Sequence, residues 1–363
     1  MSDPLHIPLT DPASPELALD RDPRQVPAVS PGTHEYWHFD ALSDDGREAL
    51  IIRFHSNYPF SSRFFKQMGS EAHSPEAAER FPAISFTYWS QGSAALHTVN
   101  EFAGGEFLAS PVADGHAIGM SSFRIDAADY GSGYVLNIDL ATSLKRRILA
   151  QCEWLAIETE PFSHLQNADD DGDVWNLSAP RADVSSRIRL MGKRGEERKL
   201  IHFRGTGYHD HIRSRSVATG IGGPRCWGRA HFADSTVVFQ QLSGGAGESS
   251  GELYLIRDGS THKLSTKCEI QGLTRDRSGL LVPRKLVLTA GEDIKLIVRP
   301  IQAVNSGFFE VQMLSETTLE QGGEKPHTAL ALMEFSDPRR MKNPFFRWVT
   351  DLRTGKNGKS PLF

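Results

Sequence analysis

The sequence predicts an all-β protein made of antiparallel barrels or sandwiches, with few and short helices. Short apolar and aromatic runs recur at roughly ten-residue spacing, separated by Gly, Asp and Ser. The same pattern restarts after Ala182, which points to two β domains in series. A chain of 363 residues is long enough for two domains that each bury a core without help from disulfides or metal.

Residues 1–31 carry seven prolines among polar and acidic residues and are expected to be a leader without regular structure. The first domain is expected over 32–178. It opens with Glu35-Tyr-Trp-His-Phe-Asp-Ala and Ala49-Leu-Ile-Ile-Arg-Phe-His55, two strand-like runs around Ser43-Asp-Asp-Gly, the pattern of a β-hairpin. Residues 57–80 break the pattern and read as a loop, with a short helix capped by Ser74 and carrying Pro75 in its first turn. Strands resume at Ala83-Ile-Ser-Phe-Thr-Tyr-Trp and continue to Ile148-Leu-Ala-Gln-Cys-Glu-Trp-Leu, followed by an acidic loop at Asp169–Asp173 that lacks the ligand pattern of a calcium loop. The second domain is expected over 179–335, from Arg187-Ile-Arg-Leu to Phe308-Phe-Glu-Val-Gln-Met-Leu. The tail, 336–363, mixes aromatic and basic residues. It reads either as a docked terminal helix or as an amphipathic helix lying on a membrane surface.

Composition narrows the partners. A net charge of −5 argues against a nucleic-acid binder. Cys152, Cys226 and Cys268 are odd in number and widely spaced, as expected of reduced thiols in a cytoplasmic protein. No stretch approaches the ~18 apolar residues of a spanning helix, and the N-terminus lacks a signal-peptide pattern. The expected location is therefore cytoplasmic or peripheral to the inner face of a membrane.

The densest group of proton-exchanging residues is Gly205-Thr-Gly-Tyr208-His209-Asp210-His211. On an extended strand Tyr208 and Asp210 share one face, and His209 and His211 share the other. Asp210 is the candidate acid, since a carboxyl group removed from water holds its proton to higher pH. Tyr208 could hold that carboxyl, and a histidine behind it could reload the proton. Two other readings stay open. The group could be a hydrogen-bonding knot that fastens a turn, or His209 and His211 could bind a metal with His202 as third ligand. No HExxH motif or cysteine cluster supports the metal, and no cofactor is expected. Upstream, Gly205 and Gly207 are expected to give the backbone unusual conformational freedom.

Aromatic side chains are the second candidate set. Tyr36, Trp37 and Trp175 are candidate substrate contacts, because π faces stabilise carbocations and polyenes need apolar clefts. Tyr88, Trp89 and Trp227 are available too, though such residues also simply fill barrel cores. His38 and Asp40, on the face opposite Trp37, read as satisfied structural groups. Arg213 and Arg215 extend the face of His209 and His211 and would suit an anionic substrate.

With these segments laid out, the chain resembles the carotenoid 1,2-hydratase (hydroxyneurosporene synthase) family. The resemblance lies in Glu35-Tyr-Trp-His-Phe-Asp-Ala-Leu-Ser-Asp-Asp-Gly, Trp175-Asn-Leu-Ser-Ala-Pro-Arg-Ala, Gly205-Thr-Gly-Tyr-His-Asp-His and Pro344-Phe-Phe-Arg-Trp, in family order over nearly the whole chain. It implies two lipocalin-like β domains, a fold shared with pericyclases (Diels-Alderases). It also implies a hydrophobic isoprenoid or polyene substrate and addition of water to a terminal trisubstituted alkene. The chain departs from the family pattern in two places. His211-Ile212-Arg213-Ser214 stands where the motif continues to Asn-Trp-Gly, and Asp173 stands where a histidine precedes the Trp-Asn pair. Three functions follow as expectations: a hydratase, a cofactor-free cyclase or pericyclase of the same fold, or a non-catalytic lipid-binding module.

Overall fold

The computed structural model describes residues 34–68, 79–91, 95–109, 115–128, 131–158, 174–214, 223–242 and 249–362. The proline-rich leader, the helix expected at Ser74, the acidic run Asp169–Asp173 and Arg215 lie outside the described residues.

The fold is all-β, in two units. The first is a sheet formed by β1 (His34–Leu42), β2 (Glu48–His55), β3 (Ala83–Ser90), β4 (Leu96–Glu101), β5 (Phe107–Ala109), β6 (Gly115–Ile118), β7 (Ser121–Ala128), β8 (Gly131–Thr142), β9 (Arg146–Glu158), β10 (Val174–Met191) and β11 (Glu197–Ser214). The second is a closed antiparallel barrel of β12 (Arg225–His231), β13 (Thr236–Leu242), β14 (Ser249–Arg257), β15 (Ser260–Arg275), β16 (Leu281–Ala290), β17 (Ile294–Ser306), β18 (Glu310–Gln321) and β19 (His327–Ser336). A short strand, β20 (Thr354–Lys356), pairs in parallel with β4 and completes a sheet of 12 strands in the order β20-β4-β3-β2-β1-β11-β10-β9-β8-β7-β6-β5.

The hairpin read at Ser43 is present. Leu42 faces Ala49 across it, the Ser43 hydroxyl accepts from the backbone of Arg47 and Glu48, and Gly46 takes the left-handed conformation that the turn requires. Two corrections concern other elements. The segment 57–80, read as a loop up to Ser74, contains a helix at Ser62–Met68 (α1), anchored by buried Phe64 against Phe81. The division between units falls between Ser214 and Arg225 rather than near 178. Strand β10 runs through 178 and pairs with β9 and β11, so the expected boundary falls inside a continuous strand of the first sheet.

The large sheet curls over its own apolar face. Trp37 on β1 lies 4.2 Å from His116 on β6 and 5.7 Å from Phe123 on β7, measured between ring centroids, although four or more strands separate them in the sheet. On the other side, Thr98 and Asn100 of β4 both donate at 2.9 Å to the Ala141 carbonyl of β8. The enclosed core includes Trp37, Phe39, Phe54, Phe86 and Trp154. The barrel has its own core, with Phe239, Leu253, Leu286 and Leu296 among its buried members.

The outer face of β1, β2 and β11 packs against the barrel. One apolar contact joins Leu42, Ile51 and Trp89 to Val304, Leu314 and Leu332. Another joins Leu177 and Tyr208 to Val238, Tyr254 and Ile256. The tail is helical over Pro344–Arg353 (α2), with the Asn343 side chain as cap and Pro344 in the first turn, as its sequence suggests. None of the helices among the described residues is long and apolar enough to cross a membrane.

The two glycines of the 205–207 stretch play a different part from the one expected. Neither has a positive φ. What they supply is space: a Cβ at Gly205 would sit 2.1 Å from the Leu42 carbonyl oxygen, and one at Gly207 would sit 2.5 Å from the Trp154 ring nitrogen. Gly205→Ala is expected to cost about 2 kcal/mol of stability by forcing β11 away from β1. A urea midpoint unchanged from the wild type would contradict this close approach.

Candidate active site

Antiparallel pairing of β1 with β11 sets His38 opposite Asp210 and Asp40 opposite Tyr208. Directly opposed residues share a face, so these four side chains project together toward the barrel. Trp37, Phe39, His209 and His211 project the other way, into the core of the curled sheet.

All four groups on the barrel side are buried. The Tyr208 hydroxyl and the Trp175 indole N–H both donate to Asp210 Oδ2 at 2.7 Å. Asp210 Oδ1 is buried and has no hydrogen-bond partner among the described residues. Burial pushes the Asp210 carboxyl above its usual range, and nearby His38 and the donors Tyr208 and Trp175 offset this only in part. The two oxygens of Asp210 are thus unequal: one accepts two hydrogen bonds, and the other makes none among the described residues.

Asp40, on the neighbouring strand, has the opposite character. Burial would raise its carboxyl, but Arg229 of the barrel and His38 outweigh that and hold it down at about 2. Arg229 Nη2 lies 2.6 Å from Asp40 Oδ1, and His38 Nε2 lies 2.9 Å from Oδ2. Arg53 Nε donates to His38 Nδ1 at 2.7 Å. An arginine cannot accept, so Nδ1 carries no proton and His38 donates to Asp40 from Nε2. Arg53 continues into the barrel, binding Glu310 at 3.0 Å and also Glu334. Burial and the charge of Glu334 push Glu310 up to about 7, against the pull of Arg53. Two carboxyl groups close together on one face are thus driven in opposite directions, the signature of an acid and a fixed anion.

Aromatic rings frame this polar group. Tyr254 stands edge-on to Trp175 at 5.4 Å, and Trp227 stands edge-on to His38 at 5.0 Å and 6.1 Å from Tyr208. Tyr36 belongs to the same face, opposite Ile212 and His55. Its hydroxyl is held well above the usual range by burial and by the charges of Asp210 and Glu334.

The structure therefore brings Asp210, Tyr208, Trp175 and Tyr36 together and separates the other sequence candidates from them. His209 cannot serve as the histidine behind Asp210, because it stacks on Phe39 at 3.9 Å inside the sheet core and bonds the His38 carbonyl. His211 stacks on Trp37 at 4.9 Å and meets Glu35 Oε1 at 2.9 Å. Trp37 is fully buried with them and cannot reach the Asp210 face. Arg213 is exposed and lies opposite Glu35, again on the strand face away from Asp210. His202 is exposed, and among the described residues no three His, Cys, Asp or Glu side chains gather into a metal site. The sequence alone does not single out Arg53, Arg229, Glu310, Glu334 and Tyr254, and His38 and Asp40, which read from it as structural groups, stand at the site. A lone arginine inside Ala49-Leu-Ile-Ile-Arg-Phe-His was the available clue, since an unpaired charge is not tolerated in such a strand.

No protein-family model matches the chain. It is 22% identical over 344 residues to the hydroxyneurosporene dehydrogenase of Chlorobaculum tepidum, covering 91% of this chain and 89% of that protein. The resemblance read from the motifs holds. Among solved structures, CghA, also solved with Sch210972, matches with a TM-score of 0.56 and 13% identity, over 85% of this chain and 89% of its own. Kievitone hydratase from Nectria haematococca matches with a TM-score of 0.52 and 11% identity, over 86% of this chain and 93% of its own. At these identities the likeness establishes the common fold.

The opposed carboxyl groups predict opposite responses to pH. Folded Asp210 binds its proton more tightly than the unfolded chain does, so its contribution to stability is full at low pH and is lost as pH rises through its raised value. Asp210→Asn should therefore gain stability relative to wild type as pH climbs. Asp40 contributes stability above the ordinary carboxylate range and loses it as pH falls toward about 2. Asp40→Asn should cost about 3–5 kcal/mol near neutral pH, because it leaves buried Arg229 unpaired, and the deficit should shrink on acidification. Thermal melts of both variants between pH 3 and 9 would check these signs; parallel curves would contradict the assignment.

Proposed function

We propose that this chain is a carotenoid hydratase-like enzyme that protonates an alkene of a hydrophobic isoprenoid or polyene and adds water to the resulting cation. The observation that carries the reading is Asp210: a fully buried carboxyl with a raised pKa, anchored through one oxygen by Tyr208 and Trp175, its other oxygen without a hydrogen-bond partner among the described residues. Proton transfer to carbon needs a group that is acidic yet holds its proton to higher pH than an ordinary carboxyl, and burial without a guanidinium partner shifts Asp210 in that direction.

In the proposed sequence Asp210 Oδ1 delivers its proton to one alkene carbon and leaves a tertiary cation on the other. The faces of Trp175, Tyr208 and Trp227 suit that charge. The phenol and indole donors hold the Asp210 carboxylate formed in this step. Water then attacks the cation, and the proton it releases returns Asp210 to its acid form, so the cycle closes without a cofactor. Asp40, fixed as an anion beside His38, keeps the ring proton of His38 on Nε2 and turns it away from the carboxyl of Asp210. The similarity to a protein named for hydroxyneurosporene chemistry and the fold shared with kievitone hydratase both support this reading.

A cofactor-free cyclisation by the same site is the second reading. It is favoured by the departure at His211-Ile212-Arg213-Ser214 from the hydratase pattern, while the acid and aromatic faces remain. A lipid-binding module without catalysis is less well supported, because simple binding does not require a buried acid opposite a depressed carboxylate.

Incubation with an acyclic carotene in deuterium oxide distinguishes them. Hydration should yield a tertiary alcohol carrying one deuterium on the adjacent carbon, and Asp210→Asn should reduce its formation by about 10²–10⁴-fold. Conversion of a polyene to a cyclic isomer that survives Asp210→Asn with a modest loss would instead establish the cyclase reading. Alcohol formation unaffected by Asp210→Asn would remove the proposed acid.

A further inference from the structure

Helix α2 has two apolar faces, and only one is used by the fold. Phe346 stacks on Phe308 at 5.4 Å, the Arg347 guanidinium lies 4.6 Å from the centre of the Phe65 ring, and the preceding Met341 is buried. These contacts fasten the helix to the body. On the opposite side Phe345 and Trp348 are 57% and 58% exposed, with ring centroids 6.1 Å apart. Leu352 continues the same stripe one turn further on. The chain end returns beside it, with the Leu362 backbone N–H donating to the Leu352 carbonyl at 3.0 Å and the Leu362 side chain 71% exposed. Fastening the helix does not require this outer patch.

Charge around the patch is one-sided. Residues 339–359 hold seven lysines and arginines and a single acidic residue, in a chain whose net charge is −5. Lys342 precedes the helix, Arg353 ends it and Lys359 lies in the returning segment, and all three are exposed.

We infer that the α2 face is a docking surface for an anionic lipid membrane. Exposed Trp and Phe flanked by Lys and Arg match the boundary between lipid headgroups and acyl chains, where an aromatic ring enters the apolar layer and the cations meet lipid phosphates. A second copy of the chain fits less well. A two-fold interface would set each basic rim against its twin, and so small an apolar patch falls short of the ~800 Å² per partner of a stable dimer.

The docked face connects to the candidate site. From Phe308 and Phe309 beside α2, rings follow in contact from Phe309 to Phe60 at 5.0 Å, to Tyr58 at 5.7 Å, to His55 at 5.4 Å and to Tyr36 at 5.7 Å. Docking would thus hold the lipid surface at the end of a continuous aromatic seam that leads to the face of Asp210, where a lipid-soluble substrate is needed. Only this delivery role rests on the proposed function; membrane binding itself does not.

Flotation of the full chain with lipid vesicles tests the inference. The protein should float with phosphatidylcholine vesicles containing about 30% phosphatidylglycerol, should bind pure phosphatidylcholine at least about tenfold more weakly, and should be released by salt near ~0.5 M. Phe345→Ser with Trp348→Ser should weaken binding by about tenfold or more, as should Lys342→Glu with Lys359→Glu. Both pairs are exposed, so their melting curves should match the wild type. Asp210→Asn should float as the wild type does, which separates failure of docking from failure of the proposed reaction. Wild-type protein that stays unbound, or an aromatic double variant that floats equally well, overturns the inference. So does a wild-type dimer in sedimentation velocity that Phe345→Ser with Trp348→Ser converts to monomer, since the face would then belong to a second copy.

Discussion

A run of buried charges, bridged by the neutral ring of His38, ties the barrel to the sheet. It passes from Glu310 and Glu334 on the barrel to Arg53, His38 and Asp40 on the sheet, and returns to the barrel at Arg229. Taking these groups out of water is costly, and the cost is offset only while each keeps its opposite partner in place. The apolar contacts at the seam give adhesion, whereas the charges require one particular docking of barrel on sheet. The candidate site lies at this seam, with Arg229, Glu310 and Glu334 contributed by the barrel, so its closure depends on that docking.

The same run explains how one carboxyl comes to differ from its neighbours. Asp40 has Arg229, and Glu310 and Glu334 divide Arg53 between them. Asp210 alone of these four carboxyl groups has no guanidinium partner and is held through a phenol and an indole. Neutral donors fix its orientation without the strong preference for the anion that a guanidinium imposes. The raised carboxyl of Asp210 is therefore specified as much by the pairing of the surrounding cations as by any group touching it.

Much of this was legible in the sequence where local rules apply. Alternation along an extended strand correctly divided Tyr208 and Asp210 from His209 and His211, and the Ser43-Asp-Asp-Gly turn marked its hairpin. Periodicity also identified both sets of strands. What local rules cannot supply is which strands meet. Strand β1 lies beside β11, so Trp37 comes to rest on His211 in the core and leaves the site, while His38 and Asp40 enter it. Arg229, Glu310 and Glu334 arrive from another unit altogether, and no spacing in the sequence announces them. The boundary expected near 178 fails for a related reason: the pattern that restarts after Ala182 is the continuation of β10, a long strand of the first sheet paired with β9 and β11.

The neighbour relation of β1 and β11 also constrains the order in which the molecule can form. The strand bearing His38 and Asp40 is made well before its partner, which ends at Ser214, and the cation that neutralises Asp40 comes only with β12. Most strands of the barrel, by contrast, pair with their immediate successors in the chain. Contacts between such distant segments form slowly, because a long loop must close before any pairing rewards it. During translation β1 must therefore wait with one hydrogen-bonding edge unfilled, and the candidate site is closed only when both units have come off the ribosome.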